Sequence, residues 1–105
     1  MPPSSDAPLT LRGFQRHISE RYEATDRARG GPKTFVWFVE EVGELATAIN
    51  SADKTPGDPA VRANLAEEMA DVLAWLCTLA NIHDVDLEEA VRRKYLGDDR
   101  PAGVK

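Results

Sequence analysis

The sequence predicts an all-α protein, organised as a small four-helix bundle-type domain. Apolar residues recur at spacings of three and four along four segments, which is the period of an amphipathic helix. Short runs rich in glycine, proline, serine and aspartate separate these segments and favour turns. No segment of useful length alternates apolar and polar residues as a half-buried strand does. The 105 residues therefore fit one helical domain with short links.

The first two predicted helices lie on either side of a glycine–proline break. Thr10 is the expected N-cap of the first helix. The apolar stripe of that helix is Leu11, Phe14, Ile18 and Tyr22. The helix is predicted to end at residues 29–32, Arg-Gly-Gly-Pro. The second helix is predicted to begin at Thr34 or Phe35 and to end in the loop-forming residues 50–59. Its apolar stripe is Phe38, Val42, Leu45 and Ile49.

Two aspartates mark the expected starts of the remaining helices. Asp58 is the predicted N-cap of the third helix, with Pro59 at its first position, and the helix extends to Ile82. The apolar stripe of the third helix is Leu65, Met69, Val72, Leu76 and Leu79. Asp86 is the predicted N-cap of the fourth helix, which ends at Gly97.

Composition limits the classes of function. Residues 1–9 are expected to be a disordered lead and residues 10–105 a single helical domain. The formal net charge of −5 argues against binding a nucleic-acid polymer. No apolar run approaches the roughly 20 residues of a membrane helix. Cys77 is the sole cysteine and no signal peptide is visible, so a cytoplasmic location is expected. A homo-oligomer would add burial to a small core.

Acidic residues flank the apolar stripes of the second and third helices. Glu41 and Glu44 lie about 60° apart on one face of their helix, and Glu68 and Asp71 have the same relation. If the two stripes pack together, the pairs can converge at the edge of the core. The alternative is an acidic helix face that is simply solvated. Gly43 lies between two glutamates at a cost of about 1 kcal/mol relative to alanine, which suggests close approach of another helix or a ligand.

Converging carboxylates favour a divalent cation. Four such groups repel one another, and a cation offsets that repulsion. The set offers only oxygen ligands, which suit Mg²⁺, or Mn²⁺ as a substitute, better than Zn²⁺. Because Mg²⁺ commonly takes phosphate oxygens as further ligands, the site suggests a phosphorylated substrate.

Two motifs carry a resemblance to a known family. Residues 40–45, Glu-Glu-Val-Gly-Glu-Leu, and residues 68–73, Glu-Met-Ala-Asp-Val-Leu, resemble the EExxE…ExxD signature of the MazG-like, all-alpha NTP pyrophosphohydrolases. Residues 85–91 and the pair Lys94-Tyr95 resemble the closing helix of that family. The similarity covers roughly residues 10–101. Arg100-Pro101 departs from the usual Arg-Tyr-Pro because the tyrosine is missing, and the loop over residues 50–59 is short.

The resemblance implies an activity and roles for individual residues. It implies that (d)NTPs are hydrolysed to the monophosphate and pyrophosphate by a homo-dimer or homo-tetramer. The Mg²⁺ ligands it implies are Glu41, Glu44, Glu68 and Asp71. Glu40 would act as a neighbouring base or orient the attacking water. On chemical grounds either Glu40 or Glu41 can accept the proton of that water.

Cations and aromatic residues complete the expected substrate site. Lys94, Lys33 and Arg100 are candidates for binding phosphates. Trp75 lies four residues after Asp71 and Trp37 four residues before Glu41, so either can stack on a base. Each aromatic also has a simpler interpretation as a core residue, and each cation as a solvated surface charge.

Two other classes of protein compete with the enzyme interpretation. A non-catalytic nucleotide-binding or regulatory helical oligomer would bind nucleotide without turnover. A carboxylate-bridged di-iron bundle needs Glu-x-x-His motifs. Phe14 and Ala80 occupy the positions three residues before His17 and His83, so this motif is missing. The base and sugar of the substrate stay open, with dNTPs and non-canonical NTPs, as in house-cleaning of nucleotide pools, as candidates.

Overall fold

Four α-helices make up the computed structural model, which describes residues 7–97. They are α1 (Leu11–Arg29), α2 (Gly31–Lys54), α3 (Pro59–Ile82) and α4 (Leu87–Tyr95). No strand occurs within residues 7–97, and the prediction of an all-α, four-helix domain is confirmed. None of the helices in this range combines the length and the apolar character needed to cross a membrane. Most of the predicted N-terminal lead, and the tail that follows Gly97, lie outside the described residues.

Side-chain caps begin three of the helices at the predicted residues. The Thr10 hydroxyl accepts a hydrogen bond from the backbone N–H of Gly13, 2.9 Å away. The Asp58 carboxylate accepts from the N–H groups of the first turn of α3, and the Asp86 carboxylate accepts from the N–H of Glu89. Each cap satisfies donors that the first helical turn leaves without an intrahelical partner.

The boundaries of α2 and α4 differ from the prediction. The second helix begins at Gly31, three residues earlier than expected, because proline fits in a first turn whose N–H groups have no helical partner. It also continues to Lys54, since no proline or glycine interrupts residues 50–54. The fourth helix ends at Tyr95, two residues before the glycine that was expected to stop it.

A close approach explains why glycine occupies the start of α2. Gly31 is buried, and a Cβ atom added there would lie 2.8 Å from Cε1 of His83, at the C-terminal end of α3. Gly43 is different. A Cβ atom at this position would meet nothing within 4 Å, so the expected close approach to Gly43 is not made within the protomer.

The packing order places α3 at the centre of the domain. The most extensive helix–helix contact joins α2 and α3, α1 packs mainly on α3, and α4 packs on α1. Within residues 7–97 the buried apolar residues are few and mostly small: Ile18, Ala48, Ala52, Cys77 and Ala80. The residues predicted for the core stripes are largely not buried. Val42, Ile49, Met69 and Leu76 are 40–50% exposed, which corrects that part of the prediction.

The side-chain amides of Gln15 and Asn81 connect α1 to the end of α3. The Gln15 side chain donates to the Asn81 side chain and to the carbonyl of Val85, at 3.0 and 2.7 Å. The same amide accepts from the N–H of Leu87, and Asn81 donates back to the Gln15 carbonyl. The α3–α4 link is therefore held by one polar network, and this fixes the position of α1 beside α3.

Candidate active site

Carboxylates from α2 and α3 converge at the edge of the interface between these helices. One carboxylate oxygen from each of Glu41, Glu44 and Glu68 lies within 4.8 Å of the other two. The two glutamates of α2 are three residues apart and share a helix face. Glu68 reaches the same point from α3. The structure thus brings together three of the four predicted ligands, which we call the acidic cluster.

The fourth predicted ligand acts on the cluster through its charge. Burial raises the pKa of Glu41, and the charges of Glu44, Asp71 and Glu68 raise it further. Burial likewise raises the pKa of Glu68, followed by the charges of Glu44 and Asp71. Asp71 itself is exposed. Because burial and the neighbouring carboxylates all oppose ionisation of Glu41 and Glu68, these interactions leave the negative charge of the cluster without compensation.

The chemistry of the cluster fits a hard divalent cation. Oε2 of Glu68 is buried, and no group within residues 7–97 donates a hydrogen bond to it. An unpartnered buried carboxylate oxygen is unfavourable, and a cation would satisfy it. All the candidate ligand atoms are carboxylate oxygens, which suit Mg²⁺ or Mn²⁺.

Glu40 lies outside the acidic cluster. Its side chain is exposed, and its Cα position is about 100° around α2 from that of Glu41. A water bound at the acidic cluster would have to lie on the solvent side of the cluster to contact the Glu40 carboxylate.

Two tryptophans pack against each other one helical turn from the carboxylates. The ring centroids of Trp37 and Trp75 are 5.8 Å apart in an edge-to-face arrangement. Trp37 is 39% exposed and Trp75 is half-buried. The rings therefore pack in the fold and still leave some surface for a ligand.

A buried ion pair, which the sequence did not reveal, supports the tryptophans. The Arg29 guanidinium lies 4.6 Å from the ring centroid of Trp37 and 5.4 Å from that of Trp75. It donates to Asp26 at 2.7 Å and to the Thr34 hydroxyl at 2.8 Å. The side chains of Asp26 and Arg29 are only 7% and 9% exposed. The i,i+3 spacing of Asp26 and Arg29 was visible, but such pairs are usually solvated and only the packing of α1 reveals their burial.

The predicted phosphate-binding cations lie on different helices, and one of them lies outside the described residues. Lys33 lies at the start of α2, with its Nζ atom 5.9 Å from the Trp37 ring centroid. Lys94 lies over the ring of its neighbour Tyr95 on α4, which packs chiefly on α1. Arg100 lies outside the described residues.

Over residues 7–97 the protein is a helical domain with carboxylates gathered between two packed helices. Residues 31–95 match the family model described as the MazG nucleotide pyrophosphohydrolase domain, and the chain belongs to this family. The resemblance seen in the two acidic motifs is thereby confirmed. The uncharacterized protein YvdC of Bacillus subtilis (strain 168) is 31% identical over 93 residues, which cover 80% of this chain and 88% of the relative. The matched segment contains the acidic cluster but begins after α1.

Proposed function

We propose that this protein hydrolyses nucleoside triphosphates, with dNTPs or non-canonical NTPs as the expected substrates, to the monophosphate and pyrophosphate. The observation that carries the proposal is the acidic cluster, in which Glu68 leaves a buried oxygen without a partner. Membership of the MazG family supports the reaction type.

The residues that would hold Mg²⁺ are Glu41, Glu44, Glu68 and Asp71. When bound, Mg²⁺ or Mn²⁺ would neutralise phosphate charge and stabilise the charge that develops during cleavage. Glu41 and Glu68 have raised pKa values, as expected for carboxylates held together to receive a cation.

The remaining site residues act on the water and on the substrate. Glu40 or Glu41 accepts a proton from the attacking water as its oxygen bonds to phosphorus. The bond between the α- and β-phosphates breaks, and pyrophosphate and the monophosphate separate. Lys33, Lys94 and Arg100 are proposed to bind phosphate oxygens, and Trp37 and Trp75 to stack on the base.

The proposal predicts a metal-dependent product pattern. Incubation of the protein with a panel of canonical and modified (d)NTPs and Mg²⁺ should release monophosphate and pyrophosphate in equal amounts, as resolved by ³¹P NMR. Chelation with EDTA should stop the reaction, and Mn²⁺ should restore part of it. Release of diphosphate and inorganic phosphate would contradict the proposed bond cleavage. Nucleotide binding without turnover in either metal would instead favour the non-catalytic, regulatory oligomer.

An exposed apolar face supports the predicted homo-oligomer. On α2 the residues at successive spacings of four and three are exposed: Phe35, Val39, Val42, Ala46 and Ile49. On α3, Met69, Leu73 and Leu76 continue the same pattern and are 40–50% exposed. This is the spacing of a helix–helix seam. Apolar faces of this kind are characteristic of protein–protein contacts, and we propose that a second copy covers it.

A charge placed in this face should separate the copies. Ile49→Lys is expected to lower the mass measured by light scattering to that of one chain, because an ammonium group would be buried at the seam. Thr47→Lys, which puts the same charge on another exposed face of α2, is the matched control. An unchanged mass for Ile49→Lys, or a single-chain mass for the unmodified protein, would refute the interface.

A cytoplasmic location stays a prediction.

A further inference from the structure

A cavity of about 380 Å³ opens between α1 and α3, beside the tryptophan pair. Tyr22 and Trp75 provide aromatic walls, and Ile18 contributes an apolar surface. Asp26 from α1 and Thr78 from α3 add polar groups. A cavity of this size with mainly apolar walls and a few polar groups is typical of a site for a small planar ligand.

Asp26 carries a hydrogen-bonding capacity that the protein does not use. The residue is 5% exposed, and one carboxylate oxygen accepts from Arg29 at 2.7 Å. The other, Oδ2, is buried, and no group within residues 7–97 donates a hydrogen bond to it. Most buried polar atoms have a partner, so an orphan acceptor on a residue that lines a cavity points to a donor supplied by a ligand. Because Oδ2 is closed off from solvent, a ligand reaches it through a change of side-chain conformation, which is common at binding sites.

The cavity lies one helical turn along α3 from Asp71, the fourth predicted metal ligand. Trp75, in its wall, follows Asp71 by four residues, which is about 6 Å along the axis of α3. That length is comparable with the separation between a base and the first phosphate of a nucleotide. A base in the cavity would therefore leave its first phosphate near Asp71, whose charge acts on Glu41 and Glu68.

We infer that the cavity between α1 and α3 binds the nucleobase of the substrate, and that Oδ2 of Asp26 accepts a hydrogen bond from an exocyclic amino group. This inference rests on the proposed function. Cytosine and adenine nucleotides are then preferred over uracil and hypoxanthine nucleotides, whose corresponding position is a carbonyl oxygen. An amino group projects beyond the ring and reaches a recessed acceptor, whereas a carbonyl oxygen is repelled by the carboxylate.

The family match does not supply this specificity. Asp26 and Arg29 both precede residue 31, where the matched segment begins. The ion pair holds Asp26 in place and also contacts both tryptophans. Discrimination between bases is thus assigned to Asp26 of α1, and metal binding to α2 and α3.

Nucleosides test base binding apart from hydrolysis, because they carry no phosphate and need no metal. Tryptophan fluorescence in EDTA should show deoxycytidine binding about tenfold or more tightly than deoxyuridine, and deoxyadenosine more tightly than deoxyinosine. A hydrogen bond to a charged acceptor has that range of effect. Equal binding within both pairs, or tighter binding of the carbonyl-bearing members, overturns the inference.

Two variants locate the preference. Asp26→Asn should reduce the ratio of affinities within each pair to about one, because the amide can donate to a carbonyl oxygen. Asp53→Asn, an exposed residue of α2, is the matched control. A folded Asp26→Asn protein that keeps the full preference overturns the role of Asp26.

If Asp26→Asn does not fold, a cavity-filling substitution tests whether the base binds between α1 and α3. Ala74→Val places two methyl groups in the cavity and should weaken nucleoside binding, whereas Ala66→Val on an exposed part of α3 should not. Unchanged binding by Ala74→Val would place the base elsewhere. Selective nucleoside binding without turnover of any triphosphate would support the inference and refute the proposed hydrolysis. Turnover of triphosphates without selectivity in either nucleoside pair would support the proposed hydrolysis and refute the inference about base binding.

Discussion

Glu41→Gln should reduce the rate of triphosphate hydrolysis by about 10²–10⁴-fold, the range expected when a positioned acid–base group is lost. The neutral amide also removes one of the carboxylate ligands from the acidic cluster, so metal affinity should fall together with turnover. Steady-state rates at saturating substrate, measured over a series of Mg²⁺ concentrations, separate these effects. A loss that high Mg²⁺ restores reflects metal binding, and a loss that persists reflects proton transfer.

The same change should stabilise the protein when no metal is present. The pKa of Glu41 is raised from its ordinary value of 4.5, because burial and the charges of Glu44, Asp71 and Glu68 oppose ionisation. A raised pKa means that ionisation costs stability. The cost is absent below the unfolded pKa and appears as the pH rises through the folded pKa. Thermal unfolding in EDTA should therefore show Glu41→Gln to be the more stable protein at neutral pH, with the difference shrinking toward acid pH.

A glutamate outside the cluster provides the comparison for both effects. Glu20 is exposed on α1, and Glu20→Gln removes the same charge without touching the site. It should change neither the rate nor the midpoint of unfolding. Retention of full activity by Glu41→Gln, or unfolding of this variant, would count against the assignment of Glu41 to the metal site.

Arg29→Leu should destabilise the fold by about 3–5 kcal/mol, the usual cost of removing one partner from a buried ion pair. Asp26 would keep a buried carboxylate with neither oxygen paired, since Oδ2 already has no donor. The Thr34 hydroxyl would lose one hydrogen bond, and both tryptophan rings would lose a cation above them. Urea unfolding at several protein concentrations gives the free energy and separates it from any effect on oligomerisation.

Two further variants show whether the uncompensated charge is the cause. Arg21→Leu removes an arginine that lies 5.9 Å from the centroid of the Tyr22 ring at an exposed position, and it should cost far less. Combining Asp26→Leu with Arg29→Leu should recover part of the lost stability, because both charges are then gone. Equal effects of the two arginine substitutions would mean that the buried pair has no special importance.

Local features were predicted well because they depend on neighbouring residues. The caps at Thr10, Asp58 and Asp86 were read from single side chains that accept from the next turn of the chain. The start of α2 was missed because Gly31 and Pro32 were assigned to the break, whereas a first turn accommodates proline. Spacing alone placed Glu41 and Glu44 on one helix face, and the structure agrees.

The identity of the core could not be read from the helical period alone. Val42, Ile49, Met69 and Leu76 were expected inside and are substantially exposed, whereas small residues such as Ala48 and Ala52 are buried. The second and third helices each carry apolar residues over a broad arc. Periodicity shows that such an arc exists, but it does not distinguish the part that packs within the protomer from the part left for another copy.

The amino-acid sequence was sufficient to predict a helical chain, the approximate start of each helix, and two motifs with paired carboxylates. Those properties follow from hydrogen bonds and side-chain spacings within a few residues. The packing of the helices was needed to show that Glu68 meets Glu41 and Glu44, and that Asp26 and Arg29 are buried beside Trp37 and Trp75. Those arrangements join residues on different helices, so they depend on how α1, α2 and α3 pack, which local spacing does not specify.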